Sequence, residues 1–155
     1  MYSIKRILVT TDFSDYSAVA LEFALSLADV HNADVHLLHV VDGGSRSSRR
    51  PEEIAHPAMQ KFVFETVDEF QNITQAIRSG IPHVEILRYA QEYRIDMIVI
   101  ATHGRTGLAH VLMGSVAEKV VRHAKAPVLT VKPDAILENL ISDEDVAADL
   151  HIPHA

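Results

Sequence analysis

The five residues Met97-Ile-Val-Ile-Ala101 limit the fold more than any other stretch of this chain. The run is too short for a helix and rich in β-branched side chains, so it reads as a strand buried on both faces, as in a parallel sheet covered by helices. The character then changes abruptly. Thr102, His103, Gly104, Arg105, Thr106 and Gly107 make a small, polar loop, and Gly114-Ser115 opens an amphipathic helix whose Val116, Val120 and Val121 return to the core. A strand feeding a glycine-bearing loop and then a helix start is an anion-binding geometry. Backbone N–H groups and the positive end of the helix dipole converge there, and glycine lets a phosphate come close to the backbone.

Earlier in the chain the same alternation recurs. Ile4 to Thr10 is a first strand, and Thr11-Asp12-Phe13-Ser14 is its exit. From Ser14 or Asp15, either of which caps a helix, Ala20, Leu21, Ala24, Leu25 and Ala28 recur at helical spacing toward an end near His31-Asn32. Ala33 to Val41 is a second strand. Strand, helix and strand with short connections imply a parallel pair with a right-handed crossover. Asp42 to Pro51 has no periodicity and reads as a mobile loop. Pro57 suits the first turn of the next helix, whose buried face is Met59, Phe62, Val63, Thr66, Val67 and Phe70. On propensity alone Asn72 to Arg78 continues that helix as readily as it forms a strand, and a Ser79-Gly80 turn follows. Pro82 starts a helix through Ile86, Leu87, Ala90 and Tyr93, and Pro127 to Val131 is a last strand that Pro133 ends.

The spacing Gly104, nine residues, Gly114-Ser115, with Thr102-His103 before it and Val116 and a helix ending at Ala126-Pro127 after it, resembles the universal stress protein family. The likeness runs from Ile4 to Lys132. The ATP-binding branch of that family carries Gly, two residues, Gly, nine residues, Gly-Ser/Thr, and this chain departs from it once, with Ala101 in place of the first glycine. If that position needs positive φ, alanine is strained by roughly 1 kcal/mol, and if the backbone must touch the ligand, the methyl intrudes. The resemblance makes Asn72–Arg78 a third strand. The sum is an α/β fold, a doubly wound five-stranded parallel sheet of order 3-2-1-4-5 with helices on both faces. Residues 1–132 form the domain. Residues 133–155 form an acidic tail whose interspersed Ile136, Leu137, Leu140, Ile141, Val146 and Leu150 allow a terminal helix.

That strand order puts the topological switch between strands 1 and 4, where ligands bind beyond the carboxyl ends of the strands. The resemblance implies ATP or AMP there, with Mg2+ as a companion ion, held by Thr10, Thr11, Asp12, Val40, Ile100, Ala101, His103, Gly104, Arg105, Gly114, Ser115 and Val116. In the family the two glycines and Ser115 cradle ribose and phosphates, and the backbone at Val40 reads the adenine edge. Asp12 either accepts from ligand hydroxyls, holds a divalent ion, or caps the following helix. Arg105 either reaches a terminal phosphate or lies in solvent. Glu85 and Glu118 are expected in surface pairs worth ~0.3 kcal/mol. The resemblance also implies a homodimer. The fifth strand, Val128–Val131, is an edge whose backbone groups call for pairing across a two-fold axis.

Other classes are disfavoured. The tail holds six acids and no Lys or Arg, leaving 15 of the 21 acids against all 14 bases in the body, so there is no basic stripe for nucleic acid or an anionic membrane. No apolar run approaches the ~20 residues that cross a bilayer, and no signal-peptide pattern precedes the first strand, so the expected compartment is the cytosol. With no cysteine, thiol chemistry is excluded. His36 and His39 are odd-spaced on a strand and point to opposite faces, so no histidine metal site is expected. No general base or transition-state arginine is placed by spacing, so any ATP hydrolysis should be slow. The expected function is a cytosolic, dimeric, nucleotide-regulated signalling module of the stress response. Its rival is a nucleotide-free interaction module of the same family, which Ala101 keeps open.

Overall fold

The computed structural model describes residues 1–43, 50–68, 72–103 and 113–132. Its centre is β1 (Arg6–Thr10), flanked by β2 (Asp34–Asp42) and β4 (Met97–Ala101), with β3 (Ile73–Gly80) and β5 (Val128–Val131) at the edges. All four pairings are parallel and the order is β3-β2-β1-β4-β5, as expected. Four helices fill the crossovers: α1 (Asp15–His31), α2 (Pro51–Thr66), α3 (Pro82–Glu92) and α4 (Ser115–His123).

Alternation along the strands explains why helices are needed on both faces. Ile7, Val9, Val35, Leu37, Val99 and Ala101 pack with α1 and α2, through Ala20, Leu21, Ala24, Met59 and Phe62. Leu8, Leu38, Ile98 and Ile100 turn the other way, onto Ile86, Tyr89 and Ala90 of α3 and Ala117 and Val120 of α4. Each such aliphatic side chain taken from water contributes about 1.5–3 kcal/mol, so neither face could be left bare. At the amino ends of the strands Asp96 fastens the sheet, its Oδ2 accepting from the N–H groups of Lys5 (2.8 Å) and Arg6 (2.9 Å).

The structure corrects four local expectations. α2 begins at Pro51, which occupies its first turn, and Pro57 lies inside the helix. The bond Pro57 omits would have gone to Glu53 on the exposed side, and Ala55, Met59 and Phe62 keep the buried stripe continuous. β3 runs on through Gly80, paired to Asp42, where a turn was expected. Gly80 adopts φ +149, and a Cβ there would meet Glu85 Cγ at 2.9 Å. Glu85 is accordingly buried beneath the strand end and paired to Arg88, not spread on the surface. On α4, Ala117 and Val120 face inward while Val121 is 44% exposed, since a helix turns residue 121 past the contact line. The expected loop contributes Asp42 to β2 and Pro51 to α2, and its residues 44–49 lie outside the described residues, as do Phe70 and the tail 133–155.

Candidate functional site

Two strand exits meet at the switch between β1 and β4. At the first, the chain turns sharply at Phe13, whose φ is 65. The turn is held by side chains bonding to nearby backbone. Thr11 Oγ1 accepts from Phe13 N–H at 2.9 Å and shares a 2.8 Å bond with Ser17 Oγ, while Thr11 N–H donates to Leu38 O at 2.9 Å. Asp12 Oδ1 accepts from Ser14 N–H at 3.0 Å and from its hydroxyl. Ser14, not Asp12, is the helix cap, its Oγ accepting from Ser17 N–H at 3.2 Å. His39 buttresses this turn from β2: Nδ1 lies 2.8 Å from Thr11 O, and the ring stacks on Phe13 with centroids 4.1 Å apart.

At the second exit Thr102 is fully buried, its N–H donating to Val131 O at 3.0 Å and its hydroxyl 2.9 Å from His103 Nδ1. The chain returns at Gly114, whose N–H donates to Thr102 O at 2.5 Å. Gly114 has an ordinary φ of -64, so the demand for glycine here comes from closeness: a Cβ would lie 3.1 Å from that same carbonyl oxygen. α4 starts at once, with no side-chain cap and with Glu118 N–H donating to Gly114 O. The N–H groups of Ser115, Val116 and Ala117 precede that first helical bond and have no partner within the helix.

Between the exits lies a cleft of about 470 Å³, within the range of small-molecule sites. Ten of the twelve expected residues line it: Thr10, Thr11, Asp12, Val40, Ile100, Ala101, His103, Gly114, Ser115 and Val116. Gly104 and Arg105 lie outside the described residues. Ala101 ends β4 and is not among the residues of positive φ, and its methyl belongs to the core packed with α1. The methyl is therefore not strained, and the cleft stays open with Ala101 in its wall.

Sequence reasoning missed Ser17, Leu38, His39, Asp42, Pro82, Ile86, Thr102 and Ala117, which complete the lining. One signal was present. On a strand every second residue shares a face, so Val40 in the site brings Leu38 and Asp42 with it. Pro82 and Ile86 arrive only through the tertiary packing of α3. Among the described residues the lining contains two carboxylates, Asp12 and Asp42, and no Lys or Arg. An anion would rest there on backbone donors and the α4 dipole, worth about 0.3–2 kcal/mol.

The remaining histidine of interest stands apart. His36 faces α3, with Nδ1 2.8 Å from the Tyr89 hydroxyl, while His39 faces Phe13 on the other side of the sheet. Burial holds the His36 imidazole below its usual value, Asp34 opposing and Arg6 adding to the effect. Burial likewise pushes the Tyr89 phenol up to about 12. No group of three His, Asp or Glu side chains among the described residues is arranged to hold a metal ion, and no helix among them is long and apolar enough to cross a membrane.

Comparison with known proteins bears on this geometry. Residues 3–132 match the Universal stress protein family. Universal stress protein MJ0577 of Methanocaldococcus jannaschii is 30% identical over 153 residues, spanning 83% of this chain and 94% of that protein. Its solved structure superposes with a TM-score of 0.69 at 32% identity, covering 86% of this chain and 97% of the other. A universal stress protein from Archaeoglobus fulgidus in complex with dAMP gives a TM-score of 0.65 at 26% identity, covering 85% and 100% of the two chains. A universal stress protein in complex with cAMP gives 0.67 at 25% identity, covering 83% and 97%.

Proposed function

The chain belongs to the universal stress protein family, and from that premise we propose that the cleft between β1 and β4 binds an adenine nucleotide, ATP or AMP, as a regulatory ligand. One observation carries the reading. The cleft is walled by the start of α4, where Gly114 approaches Thr102 O so closely that a Cβ would lie 3.1 Å from it and three consecutive N–H groups precede the first helical bond. A phosphate seated on those donors leaves the apolar lining, Leu38, Val40, Pro82 and Ile86, for the base. The dAMP and cAMP held by relatives of the same fold support an adenine ligand. Thr10, Thr11 and Asp12, which line the cleft, would then serve ribose or a companion Mg2+, and the family resemblance assigns Gly104 and Arg105 to the phosphates.

In this reading the protein works in the cytosol as a homodimer, and nucleotide state alters its dimer surface or a partner contact. The dimer pairs the β5 edges. Ile98 N–H donates to Pro127 O and Thr102 N–H to Val131 O, so the parallel ladder turns the amide of Leu129 toward β4 and that of Thr130 toward the open edge. Thr130→Pro should therefore yield monomers by light scattering with the domain still folded, and an unchanged dimer would remove β5 from the interface. Hydrolysis is slow in this account, because the sequence spacing places no general base and no transition-state arginine beside a transferring phosphoryl group.

The nucleotide reading is tested by denaturing purified protein, chromatographing the supernatant, and titrating the native protein with ATP and magnesium while following its melting. Adenine nucleotide in the supernatant, or a melting temperature that climbs with ligand, is the expected result; at a hundred times Kd the stabilisation is about 2.7 kcal/mol. Neither nucleotide nor shift would select the nucleotide-free interaction module.

A further inference from the structure

At the end of the sheet opposite the cleft, a groove of about 230 Å³ runs between the carboxyl ends of α3 and α4. Ala90, Ile95 and Ile98 give it an apolar floor, and Arg94, His123 and Lys125 stand around it. Each helix end carries roughly half a negative charge, so two of them offset about one cation and leave the rim positive. No carboxylate among the described residues pairs with Arg94, His123 or Lys125. An apolar trough with an uncompensated cationic rim fits an apolar chain that carries acids.

We propose that this groove seats the chain's own carboxyl-terminal segment, residues 133–155. That segment has six acids and neither Lys nor Arg, with Ile136, Leu137, Leu140 and Ile141 among them, so sign and apolarity both complement the groove. It departs from Lys132, one residue past β5. The strand itself covers about 13 Å back toward the groove. The eight residues from Pro133 to Leu140 span up to roughly 26 Å when extended, enough to bring Leu140 and Ile141 over the floor and Asp143-Glu144-Asp145 to the cations. A second copy's groove has the same sign and is a poorer occupant. This inference is independent of what the cleft binds.

The sequence suits a direct test on the full-length protein. Carbodiimide joins a carboxylate to an adjacent lysine amine without a spacer, the tail has carboxylates but no lysine, and the chain's lysines are Lys5, Lys61, Lys119, Lys125 and Lys132. Peptide mass spectrometry of the monomer band should show Asp143, Glu144 or Asp145 joined to Lys125 at least about fivefold more often than to Lys5 or Lys61. Arg94→Glu, which leaves Lys125 in place, should remove most of that product, as should Leu140→Ser, which alters only the tail. Salt near 1 M, where charges are screened beyond ~3 Å, should do the same. Equal coupling to Lys5 and Lys61, products confined to the dimer band, or a Lys125 product indifferent to both substitutions would each overturn the proposal.

Discussion

The end of β4 and the start of α4 face the same cleft from positions where the family signature has glycine, yet they treat a side chain in opposite ways. At Ala101 the backbone is extended strand without positive φ, and the methyl turns into the core beneath α1. At Gly114 the backbone is equally ordinary, but a Cβ would sit 3.1 Å from Thr102 O, the atom that accepts the Gly114 N–H. A glycine in a signature is thus required by where its missing side chain would go. The motif alone does not say which of its glycines are demanded.

The sharpest way to break this contrast is Gly114→Val. Its side chain must push Thr102 O or the start of α4 aside, costing about 1–3 kcal/mol of stability, and the displaced donors should no longer seat a phosphate. Denaturant melts and ATP-dependent thermal shifts check both, and a variant that binds normally would show that close approach at residue 114 is incidental. Next in size is Thr102→Val, which keeps the carbonyl that Gly114 uses but removes the 2.9 Å bond to His103 from a site without solvent. A loss of about 1–2 kcal/mol is expected with nucleotide binding weakened rather than abolished. Ala101→Gly should be milder, losing about 1 kcal/mol through a missing core methyl and a looser strand while binding stays intact. If it instead strengthens binding more than tenfold, the methyl reaches the ligand after all.

The smallest effect comes from outside the contrast and serves as its control. His36 has its proton affinity lowered in the folded state by burial, so as pH falls below 6.5 the unfolded chain gains the proton first. Stability present above that pH then declines. Melting temperature should fall more steeply below pH 6.5 in wild type than in His36→Gln, while the differences among the residue 101 and 114 variants stay constant. Parallel slopes for His36→Gln and wild type would assign the acid sensitivity elsewhere.

Much of this molecule is legible in its sequence because β1 and β4 are short, continuous and apolar, and such strands must be covered on both faces. The strand order needed the family resemblance, since Ile73–Gly80 is only half-buried at the sheet edge and its apolar pattern is weak. Pro51 and Pro57 both suit a first helical turn, and only the buried Ala55 between them, set by tertiary contact with the sheet, decides for the earlier one. In the cleft, residues on the two signature exits could be found by spacing. Pro82, Ile86 and His39 could not, because α3 and the far face of β2 are brought there by packing between distant segments.

The donors at the start of α4 should seat a nucleotide although Ala101 replaces a glycine. Isothermal titration of nucleotide-stripped protein with ATP and magnesium tests it most directly, run on wild type, Ala101→Gly and Gly114→Val side by side. One nucleotide per chain is expected for the first two, with similar affinities, and no binding heat for the third. Binding by Ala101→Gly alone, or by Gly114→Val as tightly as wild type, would contradict it.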